Sequence, residues 1–589
     1  MLEIFSRVFP DIPWRTLRFR IEPPRDPGHG DLTSNVAFIA AAELGKKPRE
    51  AAPALNEALN KNLTAASSIA VSEVAGPGFL NITLRPEFKQ QAEQEAIREI
   101  FCLGERYGES TLGGGKPVNV EYVSANPTGP LHVGHCRGAV VGDALAKLLA
   151  KAGYRVTKEY YINDAGAQVE ALAWAAYWRY LEAIGTPIPG EEFSRLVPGG
   201  LQYQGEYLIP IGRALALRYG RALAEPDPLA PTPAAIALVR GFAVEQMMRA
   251  ISEDLAALGV VPDVFSSECA LLESGAADAA IARLRESGLI YEGILEPPKG
   301  KLPDDWEARE QTLFRSTAFG DETDRPLCKS DGSNTYFAND IAYHADKIAR
   351  GAELLIDVWG ADHGGYVRRM QAAVAAISQR RVALEIILCQ IVHVVRGGKP
   401  VRMSKRAGSY ITLRDLIEEV GRDAVRFTML TRKADAQMEF DLDQAVARTR
   451  ENPVFYVQYA HARCRSVLRA AAEMLGASEV TDGRLAAVNL AALGAAPEQA
   501  VIRRLIAFPR QVEAAALARE PHRIAFFLYD LASDFHILWN RGNEDSAFRF
   551  LNADRPAETG ARLALVAATA VVIRAGLAIL GVTPVEEMR

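Results

Sequence analysis

Apolar and polar positions along the chain set out one strand–turn–helix–strand unit. Val118 to Val123 read as a short β-strand carrying a glutamate, Glu121. Asn126-Pro127-Thr128-Gly129-Pro130 is a run of chain breakers, so the strand ends in a tight turn. Apolar residues then recur at helical spacing, at Val140, Ala144, Leu145, Leu148 and Leu149, until Gly153 stops the helix. The β-branched and aromatic residues of Val156–Ile162 make a second strand. A right-handed β-α-β unit of this kind belongs to a parallel sheet.

The same reading divides the rest of the chain. Residues 1–110 form a small α+β module, with helices over Asn35–Leu44 and Pro48–Leu63 and strands over Ile69–Val74 and Phe79–Leu84. Residues 104–117, polar and glycine-rich, link it to the central unit. The α/β core spans 118–165 and 331–410. In its second part, Thr335-Tyr-Phe-Ala-Asn-Asp340 precedes a helix, Leu354–Trp359 is a strand ending in Gly360-Ala-Asp-His363, and Ile386–Val395 is a further strand. Residues 166–330 are an insertion of helical segments alternating with Pro/Gly stretches. Residues 411–447 are helical, and 448–589 read as an all-α bundle of amphipathic helices.

Composition narrows this little. The 589 residues are 49% hydrophobic and 24% charged, ordinary globular material for three to four domains. A net charge of −6 gives no overall sign of nucleic acid, so RNA binding has to come from local basic surfaces. Six scattered cysteines without a C-x-x-C pair fit a reducing cytoplasm and point to no metal ribbon. No apolar run reads as a membrane span; Leu563–Ile579 is interrupted by Arg574 and reads as a buried helix.

The chemistry begins at the turn. His132-Val133-Gly134-His135 stands at the start of the helix, where free backbone N–H groups and the helix dipole favour phosphate. Gly134, lacking a Cβ, lets the backbone approach a ligand, and both histidines can donate to phosphate oxygens. This stretch resembles the HIGH signature of class I aminoacyl-tRNA synthetases, with Val133 in place of isoleucine. The wider run Ser124-Ala-Asn-Pro-Thr-Gly-Pro-Leu-His-Val-Gly-His135 is similar to arginyl-tRNA synthetases in particular, as is Tyr160-Tyr-Ile-Asn-Asp-Ala-Gly-Ala-Gln168. Arg402-Met-Ser-Lys-Arg406 resembles the second class I signature, KMSKS: Met403, Ser404 and Lys405 match, while Arg402 and Arg406 depart from it. Gly76-Pro-Gly-Phe-Leu-Asn81 resembles that family's amino-terminal domain, and Glu451–Arg463 the start of its anticodon-binding bundle.

The resemblance implies a Rossmann-type class I core that joins arginine to ATP and passes it to the terminal ribose of tRNA(Arg). His132, His135 and Lys405 would be catalytic. ATP would meet His132, Gly134, His135, Asp362, Arg402, Met403, Ser404 and Lys405, with Mg²⁺ carried by its phosphates rather than by a protein cage. Ser124, Asn126 and His135 would hold the α-amino and α-carboxylate end of arginine, and Glu121, Tyr336 and Asp340 the guanidinium. The family often has a glutamine near Gly360–Asp362, absent here, so Asp362 is left between the ATP ribose and the amino acid. Phe79 and Asn81 match positions that touch a D-loop base; they read equally well as a buried ring and a strand-end amide. Tyr459 and Trp539 fit platforms for unstacked anticodon bases, and Arg448, Arg450, Arg463, Arg465 and Arg469 phosphate contacts. The implied protein is a cytoplasmic monomer. Competing readings are a nucleotidylyltransferase that works without tRNA, which the helical C-terminal region argues against, and an inactive tRNA-binding paralogue, which the retained His132, His135 and Lys405 argue against.

Overall fold

The computed structural model describes residues 1–14, 16–22, 24, 27–295, 310–329, 332–401 and 411–588. At its centre is a five-stranded parallel sheet. Its strands are β1 (Pro117–Glu121), β2 (Arg155–Ile162), β3 (Val264–Ser267), β4 (Leu354–Gly360) and β5 (Ala383–Cys389), in the spatial order β5-β4-β1-β2-β3. β1 lies in the middle, in register with Leu354–Asp357 on one side and Arg155–Glu159 on the other. Parallel sheets are covered on both faces, which is why Val118, Val120, Leu355 and Ile356 are all buried.

Helix α1 (Val133–Lys151) returns the chain from β1 to β2 and buries Val140, Ala144, Leu145, Leu148 and Leu149, the apolar positions read from the sequence. Each buried leucine is worth about 1.5–3 kcal/mol against exposure. Gly142 faces the ring of Tyr122 so closely that a Cβ there would collide with it.

β3 corrects the reading of the insertion as helices and loops. Val264–Ser267 pairs in parallel with Glu159–Ile162 and forms the sheet's edge. Behind it come α2 (Glu268–Glu273) and then α3 (Tyr336–Ala349), which packs against α2. The run Thr335–Asp340 opens α3 instead of preceding it, because the Thr335 hydroxyl caps the helix by accepting from Ala338 N–H. The expected strand Ile386–Val395 is two. β5 ends at Cys389, Gln390 turns its N–H to the carbonyl of Ala434, and Val392–Arg396 joins Met438–Asp441 in a separate three-stranded sheet.

The amino-terminal strands form a four-stranded antiparallel sheet of Ile21–Glu22, Leu32–Ser34, Phe79–Leu84 and Ile69–Ala75, backed by helices Val36–Leu44 and Pro48–Lys61. Helix Pro86–Leu103 leaves that module, and its Ile97, Ile100 and Phe101 join the same buried cluster as the central sheet. Toward the other end, α4 (Arg422–Met429) leads to the bundle. Its helices include α5 (Pro453–Leu475), α6 (His522–Glu544) and α7 (Pro556–Leu580). α7 is long and apolar enough to cross a membrane, but it is almost wholly buried against α1, α5 and α6.

Candidate active site

The carboxyl end of β1 carries backbone strain. Val123 (φ +74°) and Ser124 (φ +38°) both sit in the left-handed region, which a β-branched valine enters at a cost of order 1–3 kcal/mol. The bend turns the Ser124 hydroxyl back to Glu121 Oε1 at 2.9 Å, and Tyr161 N–H on β2 donates to the same hydroxyl at 3.0 Å. Asn126 donates to Gln168 Oε1 at 2.6 Å.

His132 then caps α1. Its Nδ1 accepts from Gly134 N–H at 3.1 Å, and Nδ1 of His135 accepts from the His132 N–H at 3.2 Å. The rings lie 3.9 Å apart between centroids. With both Nδ1 atoms accepting, this hydrogen-bond pattern assigns the proton of each neutral ring to Nε2. Gly134 also has a structural job. A Cβ there would stand 2.8 Å from His132 Cε1, so the glycine makes room for the imidazole that caps the helix.

The basic loop falls outside the described residues, and with it Arg402, Met403, Ser404 and Lys405. Its far anchor is described: Val133 N–H reaches Ile411 O at 3.4 Å and Leu413 N–H reaches Leu131 O at 2.8 Å. The loop therefore re-enters the structure hydrogen-bonded to the histidine turn. Asp362 is exposed just beyond β4, with His363 Nε2 at 3.7 Å; Gly360 has no Cβ to block it.

α3 supplies the other wall. Tyr336 and Asp340, one turn apart, share a face; Tyr336 is 67% exposed. Asp340 Oδ2 accepts the Tyr366 hydroxyl at 2.6 Å and forms no ion pair among the described residues. Burial pushes its carboxyl up to about 6; the bond from Tyr366 and the nearby His344 oppose the rise, while the charges of Glu121 and Asp357 add to it. The site thus brings Glu121, Ser124 and Asp340 together.

Several residues here escaped the sequence reading. Lys347 is fully buried and bridges Glu121 and Asp357. Burial works against its charge, but the carboxylates of Asp357, Glu121 and Glu159 outweigh it and hold the ammonium above its ordinary range. His344 Nε2 faces Asp357 at 2.9 Å. Glu268, the first residue of α2, is buried, accepts from Asn339, and is raised to about 6 by burial and then by the charge of Asp340. The Tyr161 hydroxyl and Asn339 Oδ1 are buried with no hydrogen-bond partner among the described residues. One signal was available: Asp340, Tyr343, His344 and Lys347 fall at i, i+3, i+4 and i+7, a polar stripe on one helix face.

The remaining predicted residues lie elsewhere. Phe79 is on the amino-terminal sheet, its ring tilted against Phe38 with centroids 4.8 Å apart, and Asn81 is paired between Thr33 and Glu73. In the bundle, the Arg463 guanidinium sits between Tyr459 (4.2 Å) and Trp539 (4.6 Å), so each of those rings has one face covered. Trp539 also lines a cavity of ≈ 370 Å³ with Ser466, Asn543 and Arg549. Arg465 and Arg469 are not bare, as expected for phosphate contacts, but are engaged by the tail residues Glu586 and Glu587. Such exposed pairs are weak enough for a phosphate to displace.

Comparison with known proteins identifies the chain's domains. Residues 3–84 match the arginyl tRNA synthetase N terminal domain, residues 96–182 the catalytic domain of class I (R) tRNA synthetases, and residues 457–588 the DALR anticodon binding domain. The arginine–tRNA ligase of Gluconobacter oxydans is 60% identical over 584 residues, covering 99% of this chain and 96% of that protein. The chain belongs to the arginyl-tRNA synthetase family. The enzyme of Cereibacter sphaeroides is 56% identical over 97% of this chain and 94% of its own length. The Thermus thermophilus arginyl-tRNA synthetase shares the fold, with a TM-score of 0.69 at 22% identity, over 100% of this chain and 98% of that one. The family's reaction is the charging of tRNA(Arg) with arginine at the expense of ATP, and the class I core described above is the domain that performs it.

Proposed function

We propose that arginine binds between β1 and α3, with its guanidinium against Asp340, Tyr336 and Glu268 and its α-carbon end at Ser124, Asn126 and His135. The observation that carries this is the pair of carboxylates, half-buried Asp340 and buried Glu268, which form no ion pair among the described residues. A planar group with five donors suits them, and charge-assisted bonds of this kind are strong. Glu121 joins the pocket through its oxygen shared with Ser124, its other oxygen being held by Lys347.

Activation needs no general base, because the arginine carboxylate is itself the nucleophile that attacks the α-phosphorus of ATP as pyrophosphate leaves. The protein has to align the two and stabilise charge on phosphate. The Nε2–H donors of His132 and His135 serve one side of the triphosphate, next to the helix N-terminus. Lys405, with Arg402, Met403 and Ser404, serves the other, Gly134 stays between the two histidines at the helix N-terminus, and Asp362 meets the ATP ribose or the amino acid. Mg²⁺ would come in on the phosphates of ATP, held by them and by water. The terminal ribose of tRNA then takes the arginyl group. Phe79 and Asn81 face the tRNA elbow, Tyr459 and Trp539 the anticodon, and the enzyme works as a cytoplasmic monomer.

Asp340→Asn tests the pocket. It keeps the size and removes the charge, so the KM for arginine should rise steeply with the KM for ATP little changed. Normal arginine charging by this variant, or charging of neutral citrulline by the parent, removes the assignment. Lys405→Ala should instead slow activation at saturating arginine; a raised arginine KM with unchanged kcat would contradict the role given to it.

A further inference from the structure

The polar stripe of α3 does more than line the pocket. The Lys347 ammonium has three donors. One meets Glu121 Oε2, another Asp357 Oδ1 at 3.0 Å, and the Tyr343 ring lies 4.4 Å from Nζ. The second oxygen of Asp357 faces His344, whose Nδ1 donates to the Asp340 carbonyl at 2.7 Å. The second oxygen of Glu121 takes the Ser124 hydroxyl. Glu121 and Asp357 are thus satisfied by the protein's own groups, whereas Asp340 and Glu268 form no ion pair among the described residues.

The two kinds of cationic amino acid differ in reach. Counting along the side chain, the ammonium of lysine stands where arginine has its guanidinium carbon, one bond short of the terminal nitrogens, and that of ornithine is shorter again. A lysine seated by its α-carbon end therefore needs a carboxylate nearer that end than Asp340. Glu121, hydrogen-bonded to Ser124, is the carboxylate so placed.

We propose that Lys347 determines amino-acid specificity by seating an ammonium on Glu121 in advance, so that lysine and ornithine find that carboxylate filled and a like charge beside it, while a guanidinium reaches past to Asp340 and Glu268. Like charges in a low-dielectric site repel strongly, and rejection built from such a clash is a general route to discrimination. The inference rests on the arginine pocket proposed above.

The test uses the full chain with ATP and tRNA(Arg), and measures kcat/KM for arginine, lysine and ornithine in Lys347→Met, Lys347→Gln and Lys347→Arg. The neutral variants should lose at least tenfold of the arginine-over-lysine preference, through a lower KM for lysine, and Lys347→Arg should keep the parental ratio. Equal losses on all three substrates in the neutral variants would reduce Lys347 to a structural role and overturn the proposal. So would a loss of preference in Lys347→Arg, which decides the matter if the neutral variants do not fold. Asp340→Asn reports on the pocket separately, through the arginine KM, so failure of that assignment is distinguishable from failure of this one.

Discussion

Arg426 on α4 closes on the carboxylate of Asp143 on α1 at 2.5 Å, both side chains no more than 1% exposed. The same guanidinium donates to Leu580 O at the end of α7 and to Leu258 O in the insertion. One residue therefore joins the histidine helix to the bundle and to the insertion. Arg426→Met leaves a buried carboxylate whose one remaining ion-pair partner among the described residues is Lys147, at 2.7 Å. The loss of one member of a buried pair costs 3–5 kcal/mol, and Lys147 sets the expectation at about 3 kcal/mol. Thermal unfolding should show a clearly lower midpoint; an unchanged midpoint would mean that packing, not the ion pair, holds this junction.

The pH dependence of arginine binding follows from Asp340 and Glu268, each pushed up to about 6 by burial first of all. A guanidinium pairs with a carboxylate and not with its acid. Above about pH 6 both are ionised and ready; as pH falls through that range, protons compete with the substrate. The arginine KM should then rise toward tenfold per pH unit for each group, and less steeply in Asp340→Asn. A KM flat from about pH 7.5 to about 5.5 would show that neither group meets the guanidinium.

Gly134→Ala separates two roles for that glycine. Its Cβ would press on the His132 ring and break the cap on α1, so kcat should fall and thermal stability should drop by about 1 kcal/mol, the usual worth of an N-cap. If the loss lay wholly in the ATP KM with stability unchanged, the space would belong to the nucleotide instead.

Trp539→Ala should raise the KM for tRNA by the equivalent of roughly 1–3 kcal/mol, the cost of a lost base–aromatic stack, while the KM values for ATP and arginine stay put. Trp539 also packs on Phe535 and Phe550, with centroids 6.3 Å and 5.8 Å away, so melting has to be followed alongside. A variant that melts early with an unaltered tRNA KM would make the ring a core residue.

Local periodicity made much of the fold legible. The strand Phe79–Leu84 and helix α1 are where apolar spacing puts them, because their buried faces are continuous in sequence. The split of Ile386–Val395 was hidden, since a run apolar on both sides of Gln390 carries no mark of a change of sheet. The site was legible where a turn and its histidines sit together in the chain. Lys347 and Glu268 were not, because charges on a helix ordinarily mark a solvated face, nor was Asp357, because a charge inside an apolar strand carries no sign of its partner. Their partners on other elements, 226 positions away for Lys347 and Glu121, make these burials possible.

The edge strand β3 has a practical meaning for anyone shortening this enzyme. Residues 166–330 look excisable on paper, a loop of helices between two halves of a nucleotide fold. Yet β3 is hydrogen-bonded along Glu159–Ile162, Ser266 donates to Glu159, and Ser267 with Cys269 N–H holds Asp164. Cutting at the insertion's ends would strip the sheet of a strand and leave the open edge of β2 free to pair with another molecule. A smaller version has to be trimmed from within, among the helices at 167–257, keeping the seam that starts at Val264.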